Sequence, residues 1–372
     1  FFVLWALGWH TLHGSEDRWA EVTREMFLRR DFFHPTINAQ PYFDKPLLGY
    51  WLVALVAVVT GRLDEWAVRL PGAVASLLTL WATMRLGRTL WSAAVGRTAA
   101  WLLLTTYGFL WWAKRGEADM ENLAAITGAL AWYWAHRERL TFGHYLVFYL
   151  ICFIGAHTKG LGAVAVPAVA LLPDVLRGGR WRAHLNLANV LALGVGVAVY
   201  LTPFVYATLT HGDYQSSGLA LVFRENVQRY FEPFDHTEPF YVYLYYLPEL
   251  FLPWAPLVLV ALASVSRALR RPYDATRWLA EAFVLVFLFF TLSGSRRVYY
   301  LLPAMPLAAL ATALFLHDEA TASARRWGIG LQTAAFAALA GLTLAGPALA
   351  AVLAPRYHWP LPADLMLVAP LL

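Results

Sequence analysis

The chain has 372 residues, 59% of them hydrophobic and 14% charged, with 17 tryptophans and a formal net charge of +5. Soluble domains carry about a quarter charged residues, so this composition excludes an ordinary water-soluble protein and makes lipid the solvent. The excess of basic residues reads as Lys and Arg retained on the cytoplasmic side of a membrane, which excludes a nucleic-acid partner as the reason for it.

The chain opens at Phe1 in an apolar run that breaks after Gly8, the expected tail of a first transmembrane helix whose start is missing. Apolar stretches follow at 70–90, 95–113, 122–135, 144–156, 161–175, 187–209, 240–265, 279–292, 298–316, 329–353 and from 363 onward. Together they predict an all-α, polytopic membrane protein of about 12 transmembrane helices. The last run reaches Leu372, so both ends read as truncated. The single cysteine, Cys152, lies in an apolar stretch and excludes an internal disulfide.

Basic residues orient these spans. Arg85/Arg88/Arg97, Arg137/Arg139, Arg177/Arg180/Arg182, Arg267/Arg270/Arg271 and Arg325/Arg326 fall in alternate short loops, which the positive-inside rule makes cytoplasmic. The segments 12–69, 114–119, 157–160, 211–239 and 294–297 then lie outside. One apolar run, LLGYWLVALVAVVTG at 47–61, has outer-side charged segments at both ends. It is short for a span and is predicted to be a helix lying in the interface, so the first outer loop carries helices of its own. A loop of that length is usually functional.

Acidic residues crowd the outer side: Glu16, Asp17, Glu21, Glu25, Asp31, Asp44, Glu117, Asp119, Glu121, Asp213, Glu225, Asp235 and Glu238. Glu21 with Arg24, and Glu25 with Arg29, have helical spacing and read as solvated pairs on an amphipathic helix. Ser15 stands where that helix needs an N-cap, with acids in the first turn where the helix dipole favours them. Capping does not account for two carboxylates, Glu16 and Asp17, placed where a span emerges. A carboxylate there can serve as general base for an acceptor hydroxyl, which is a poor nucleophile until its proton is removed.

Cations also stand on the outer side, where the orientation rule does not call for them: Lys45, Lys114/Arg115, Lys159 and Arg296/Arg297. Lys159 sits in HTKGLG at the mouth between two spans. A cation at that depth is costly unless an anion compensates it. Outer acids or lipid headgroups could do so for any one of them. Four separate loops each supplying a cation point to an anionic ligand such as a phosphate, which Lys meets as a point charge and Arg as a fork.

The segment SEDRWAEVTREMFLRRDFFHPTINAQPYFDKPLLGYW resembles the first periplasmic loop of the ArnT-like and protein-mannosyltransferase group of GT-C glycosyltransferases, where D-E-x-R-Y-A-E precedes Y-F-x-K-P. RGEADMENL resembles that group's second-loop aspartate motif, HTKGLGAVAVPAVALLP its T-K-G segment, ENVQRYFEPFDHTEPFYVYLYYLPELFLPW a later loop, and FFTLSGSRRVYYLLPAMP its S-x-x-K/R…Y-x-L-P turn. The matches keep their order from about Gly14 to Pro306. The resemblance implies a GT-C catalytic module over 1–316, with outer loops 12–69 and 211–239, and further transmembrane helices over 317–372.

It further implies a metal-independent, inverting transfer of sugar from a polyprenyl (undecaprenyl) phosphate donor, at the periplasmic face of a bacterial inner membrane and with no cofactor. The implied acceptor is a glycolipid such as lipid A, receiving aminoarabinose or a related sugar. Lys45 and Lys159, with Arg296 or Arg297, are implied to hold the lipid phosphate. Arg18 of the D-R-W-A-E run and Tyr42 of Y-F-x-K-P join them in the donor-binding set, and Asp119 is the second acid. The family's leading aspartate falls on Ser15 if the R-W-A-E register is kept. Serine is no base unaided, so the catalytic carboxylate is expected at Glu16, then Asp17. The tyrosines at 241, 243, 245 and 246 are either sugar-stacking groups or interfacial anchors.

The sequence also admits three rivals: a protein O-mannosyltransferase-like enzyme, a transporter of lipid-linked sugar, and a binder without transfer. A transporter tends to place ionisable groups at mid-membrane on broken helices and to show repeated halves. Here the charges lie near span ends, with Glu249 between Pro248 and Pro253 the nearest exception, and no repeat is visible. A binder is suggested only by Ser15.

Overall fold

The computed structural model describes residues 2–210, 224, 228–231 and 237–357. Most of the predicted loop 211–239, with Asp213, Glu225 and Asp235, and the span predicted from 363 lie outside the described residues. Among the described residues the fold is all-α apart from one hairpin of two-residue strands, β1 (Thr36–Ile37) with β2 (Gln40–Pro41).

Helices α1 (Glu16–Arg29) and α2 (Leu47–Thr60) fall in the segment read from the sequence as the first outer loop. After them come α3 (Glu65–Leu90), α4 (Ala93–Leu104), α5 (Tyr107–Ala113), α6 (Asp119–His136), α7 (Phe142–Ala156), α8 (Gly162–Leu176), α9 (Trp181–His184) and α10 (Leu187–Thr210). Beyond the second loop lie α11 (Tyr243–Leu250), α12 (Ala255–Val265), α13 (Ala275–Thr291), α14 (Met305–His317) and α15 (Ala322–Tyr357). Among the described residues four helices are long and apolar enough to cross a membrane, or up to five if a pair bent by 118°, Tyr243–Leu250 with Ala255–Arg270, counts as one span.

The predicted segments recur as helices, several of them shortened or broken. The run 95–113 is split at Thr105 and Thr106, whose hydroxyls bond back to Trp101 and Leu103. The run 240–265 bends between Leu250 and Ala255, where Tyr107 N–H donates to the Leu252 carbonyl at 2.6 Å. Residues 2–8 form successive turns instead of a helix, with Val3 and Leu7 packed on Ala73 and Ala113.

Small residues let the helices approach closely, as lipid-embedded helices require when no hydrophobic force separates protein from solvent. A Cβ on Gly155 would come within 2.1 Å of Ala125 Cβ, and one on Gly96 within 2.3 Å of the Met84 carbonyl oxygen. The turn after α1 uses Asp31, whose carboxylate accepts from Phe33 and His34 N–H at 3.0 and 3.1 Å. Helix α2 rises only about 21 Å, short of a hydrocarbon core of about 30 Å. Its Tyr50, Val53 and Ala57 are buried while Leu55, Val58 and Val59 are exposed, so one apolar face remains open.

Candidate active site

Helix α1 turns one face to a polar cavity of about 230 Å³, and Ser15, Arg18 and Trp19 line it. Positions three and four apart share a helix face, which takes Glu16 and Asp17 away from that cavity. Ser15 makes no capping hydrogen bond, contrary to the expected N-cap. Its backbone φ of −78° and ψ of −15° are already helical, so the hydroxyl is not presented to the first-turn N–H groups.

Glu16, the carboxylate expected to act as base, is fully buried and engaged elsewhere. Arg69 donates to it through Nε and Nη2, both at 2.9 Å, and the N–H groups of Gly116 and His13 donate at 2.7 and 3.3 Å. Burial alone would raise this carboxyl, but the Arg69 guanidinium and the two N–H donors hold it below its ordinary value. Arg69 also gathers the carbonyls of Leu7, His10 and Thr11. The pair is thus a staple between the first loop and α3. Asp17 is exposed.

Glu21 and Arg24 form the expected pair at 2.6 Å. Glu25 does not pair as expected with Arg29: it turns inward and accepts from the Thr36 hydroxyl and the Ala39 N–H. It thereby braces the tight turn in which Asn38 and Ala39 both have positive φ, 52° and 60°. That hairpin delivers Tyr42, Asp44 and Lys45 to the polar cavity. Arg18 donates to Tyr42 Oη at 3.0 Å, Tyr42 Oη donates to Asp44 at 3.2 Å, and Lys45 lies 3.3 Å from Asp44.

Lys159 is carried by the turn between α7 and α8. Leu48 N–H, at the start of α2, donates to the His157 carbonyl at 3.2 Å, which ties the two lysine-bearing segments together. Lys159 Nζ donates to Asp119 Oδ1 and lies 4.2 Å from the centroid of Tyr299. Asp119 is buried, and its Oδ2 has no hydrogen-bond partner among the described residues.

The two adjacent arginines diverge. Arg297 lines the polar cavity and donates to Tyr299 Oη at 2.6 Å. Arg296 points away, its guanidinium spent on the carbonyls of Thr291 at 3.0 Å and Glu238 at 2.7 Å. Tyr243 is buried in the core and Tyr241 and Tyr245 are exposed, so none of these loop tyrosines lines the cavity.

A second cavity of about 210 Å³ adjoins the first. Its walls include Leu123 and Ile126 from α6, Ala165 and Val166 from α8, and Phe289 and Phe290 from α13. Lys45, Asp119, Lys159, Tyr299 and Tyr300 line both cavities. An apolar slot and a polar chamber therefore meet at two lysines and one carboxylate. Such a shape can take an apolar chain with an anionic head group, and the two lysines can stabilise negative charge at the junction. Among the described residues no group of three or more His, Cys, Asp or Glu side chains is placed to hold a metal ion.

Sequence reasoning passed over Glu117, Tyr299, Tyr300 and Asn122 as site residues. Asn122 lines the apolar cavity, Glu117 the polar one, and the two tyrosines both. Glu117 and Asn122 flank Asp119 in RGEADMENL, and the tyrosines follow Arg297 in SRRVYYLLP, so the motifs that flagged their neighbours contain them. The opposite end of the bundle holds another buried carboxylate, Asp174, but its oxygens meet Tyr133 Oη at 2.7 Å, Tyr273 Oη at 3.3 Å and Arg137 at 3.4 Å. With those needs met, it reads as a structural lock.

Comparison with solved structures gives the fold, which is that of the GT-C membrane glycosyltransferases. The chain superposes on ArnT from Cupriavidus metallidurans bound to undecaprenyl phosphate with a TM-score of 0.78 at 24% identity, covering 93% of this chain and 62% of that one. It also superposes on the apo oligosaccharyltransferase of Archaeoglobus fulgidus with a TM-score of 0.62 at 12% identity, covering 89% and 52%. The family described as dolichyl-phosphate-mannose-protein mannosyltransferase matches residues 44–206.

In sequence the chain is similar to aminoarabinose transferases. The undecaprenyl phosphate-alpha-4-amino-4-deoxy-L-arabinose arabinosyl transferase of Pseudomonas paraeruginosa is 30% identical over 352 residues, 90% of this chain and 62% of the relative. That of Edwardsiella ictaluri is 31% identical over 305 residues, 80% and 54%. The chain thus spans less than two thirds of the length of these relatives.

Proposed function

We propose that the protein transfers a sugar from a polyprenyl-phosphate donor of the undecaprenyl class to an acceptor at the periplasmic face of a bacterial inner membrane. The observation that carries this reading is the meeting of an apolar and a polar cavity at Lys45, Asp119 and Lys159. The polyprenyl chain lies in the apolar cavity, its phosphate between the two lysines, and the sugar and acceptor in the polar chamber.

The acceptor hydroxyl oxygen attacks the anomeric carbon while the bond from that carbon to the phosphate oxygen breaks. The bonding electron pair leaves with the phosphate, whose added charge Lys45 and Lys159 stabilise. The hydroxyl proton passes to a carboxylate, and Asp119 Oδ2 is the group we assign to receive it. Arg18, Tyr42 and Arg297 line the chamber and complete the donor-binding set. Glu16 has no direct part, being held by Arg69, and Asp17 faces solvent. No step calls for a cofactor.

The names of the relatives favour an aminoarabinose-type sugar, and we take lipid A as the acceptor from the resemblance of the first-loop motif. The match to the protein-mannosyltransferase family supports a protein acceptor as the second reading. Incubating the detergent-solubilised protein with labelled undecaprenyl-phosphate sugar tests the proposal. Sugar is expected on lipid A, with stoichiometric release of undecaprenyl phosphate. Movement of intact donor across vesicles without that release would identify a transporter and overturn it.

A further inference from the structure

Asn122 stands one turn into α6 from Asp119 and lines the apolar cavity beside Lys159. Its Nδ2 donates to the carbonyls of Gly155 and Gly160, each at 3.1 Å. Those carbonyls bracket the turn that carries Lys159: Gly155 is next to last in α7, and Gly160 directly follows the lysine. A single amide therefore spans the turn and closes it from the side of α6.

The surroundings fit such a clamp. Gly160 has φ of 152°, a conformation suited to glycine, and its carbonyl meets the Asn122 amide of α6. A Cβ on Gly162 would lie 3.3 Å from Asn122 Oδ1, so a larger residue there would crowd the amide. The Thr158 hydroxyl shares the Gly155 carbonyl at 2.7 Å. Asp119 grips the ammonium of Lys159 from the same helix, so α6 holds this lysine twice, once by its charge and once by its backbone.

We propose that Asn122 is a positioning residue for the donor phosphate: it fixes the backbone on either side of Lys159 so that the ammonium stands at the junction of the two cavities. Asn122 does not itself touch the reacting atoms. The inference rests on the reading of Lys159 as a phosphate ligand. Side-chain geometry at a charged site is worth most when it is fixed before binding, because less ordering is then left to be done by the ligand.

The test is a double-mutant cycle on binding of undecaprenyl phosphate to the full-length protein in nanodiscs, using wild type, Asn122→Ala, Lys159→Ala and the double variant. Asn122→Ala is expected to weaken binding about ten-fold, as for the loss of one to two hydrogen bonds, and to add little once Lys159 is gone. Asn122→Leu, which keeps the side-chain volume but cannot donate, is expected to behave like Asn122→Ala and guards against a failure to fold through lost packing. Equal losses from Asn122→Ala with and without Lys159, or no loss from either Asn122 variant, would overturn the inference while leaving Lys159 in place. No loss from Lys159→Ala would overturn the phosphate reading as well.

Discussion

Asp119 grips Lys159 through Oδ1 and leaves Oδ2 without a hydrogen-bond partner among the described residues. An unpaired buried oxygen costs free energy, so its persistence beside a cavity is informative. In the proposed mechanism one oxygen orients the cation that meets the phosphate, and the other receives the proton. The pair divides a single carboxylate between electrostatics and acid–base chemistry.

Asp119→Asn keeps the shape and removes the proton acceptor. The turnover number for sugar transfer is expected to fall by about 10²–10⁴, the range for loss of general base catalysis, while undecaprenyl phosphate binding changes far less. Steady-state kinetics with labelled donor separates the two. Equal loss of binding and turnover would make Asp119 only a holder of Lys159.

Glu16→Ala leaves Arg69 buried without its partner, and breaking such a pair costs about 3–5 kcal/mol. Thermal unfolding in detergent is expected to show a marked loss of stability. Transfer per folded molecule is expected to persist, in contrast to Asp119→Asn. A stable but inactive Glu16 variant would restore Glu16 as the catalytic base.

The same pair predicts an acid limb of stability. The Glu16 carboxyl titrates below its ordinary value in the folded protein, so the folded state favours the ionised form. Its contribution is complete above the unfolded-state value near 4.5 and is lost as pH falls through the lower folded value. Unfolding temperatures measured across acid pH are expected to fall less steeply for Glu16→Gln than for wild type, from a lower starting point.

Arg297→Ala and Arg296→Ala are expected to separate cleanly. Arg297 lines the polar cavity, and its loss is expected to weaken donor affinity by about ten-fold, as for a charge-assisted contact. Arg296 closes the end of α13 on carbonyls, and its loss is expected to lower stability by about 1–3 kcal/mol with donor affinity unchanged. Isothermal binding and thermal unfolding on both variants check this.

Ser15 makes no cap, so Ser15→Ala is expected to cost well below the ~1 kcal/mol of a lost N-cap. Ser15→Asp places a carboxylate in the chamber at the position where the resembled first-loop motif has its aspartate. It is expected to fold normally and to raise the transfer rate. A folded Ser15→Asp variant with less transfer than wild type would show that the hydroxyl itself is needed.

Helix positions were readable because apolar runs and charge breaks are local features. The stranded cations Lys45 and Lys159 were readable for the same reason, and the fold brings both to one junction. What could not be read was pairing at long range. Glu16 and Arg69 are 53 positions apart, and nothing local distinguishes a carboxylate that meets a substrate from one that meets a distant arginine. Helical spacing pairs Glu25 with Arg29, yet a hairpin eleven residues on claims it. Arg296 and Arg297 are equivalent in sequence, and only the backbone at the end of α13 sends them opposite ways. The bend between α11 and α12 was hidden because a broken span has the same hydropathy as a straight one.

The most direct measurement is a cryo-electron microscopy structure of the full-length protein with undecaprenyl phosphate. The phosphate is predicted within about 3 Å of both Lys45 Nζ and Lys159 Nζ, with the isoprenoid chain leaving between Ile126, Val166 and Phe290. A phosphate bound away from both lysines, or a chain lying outside that slot, would contradict it.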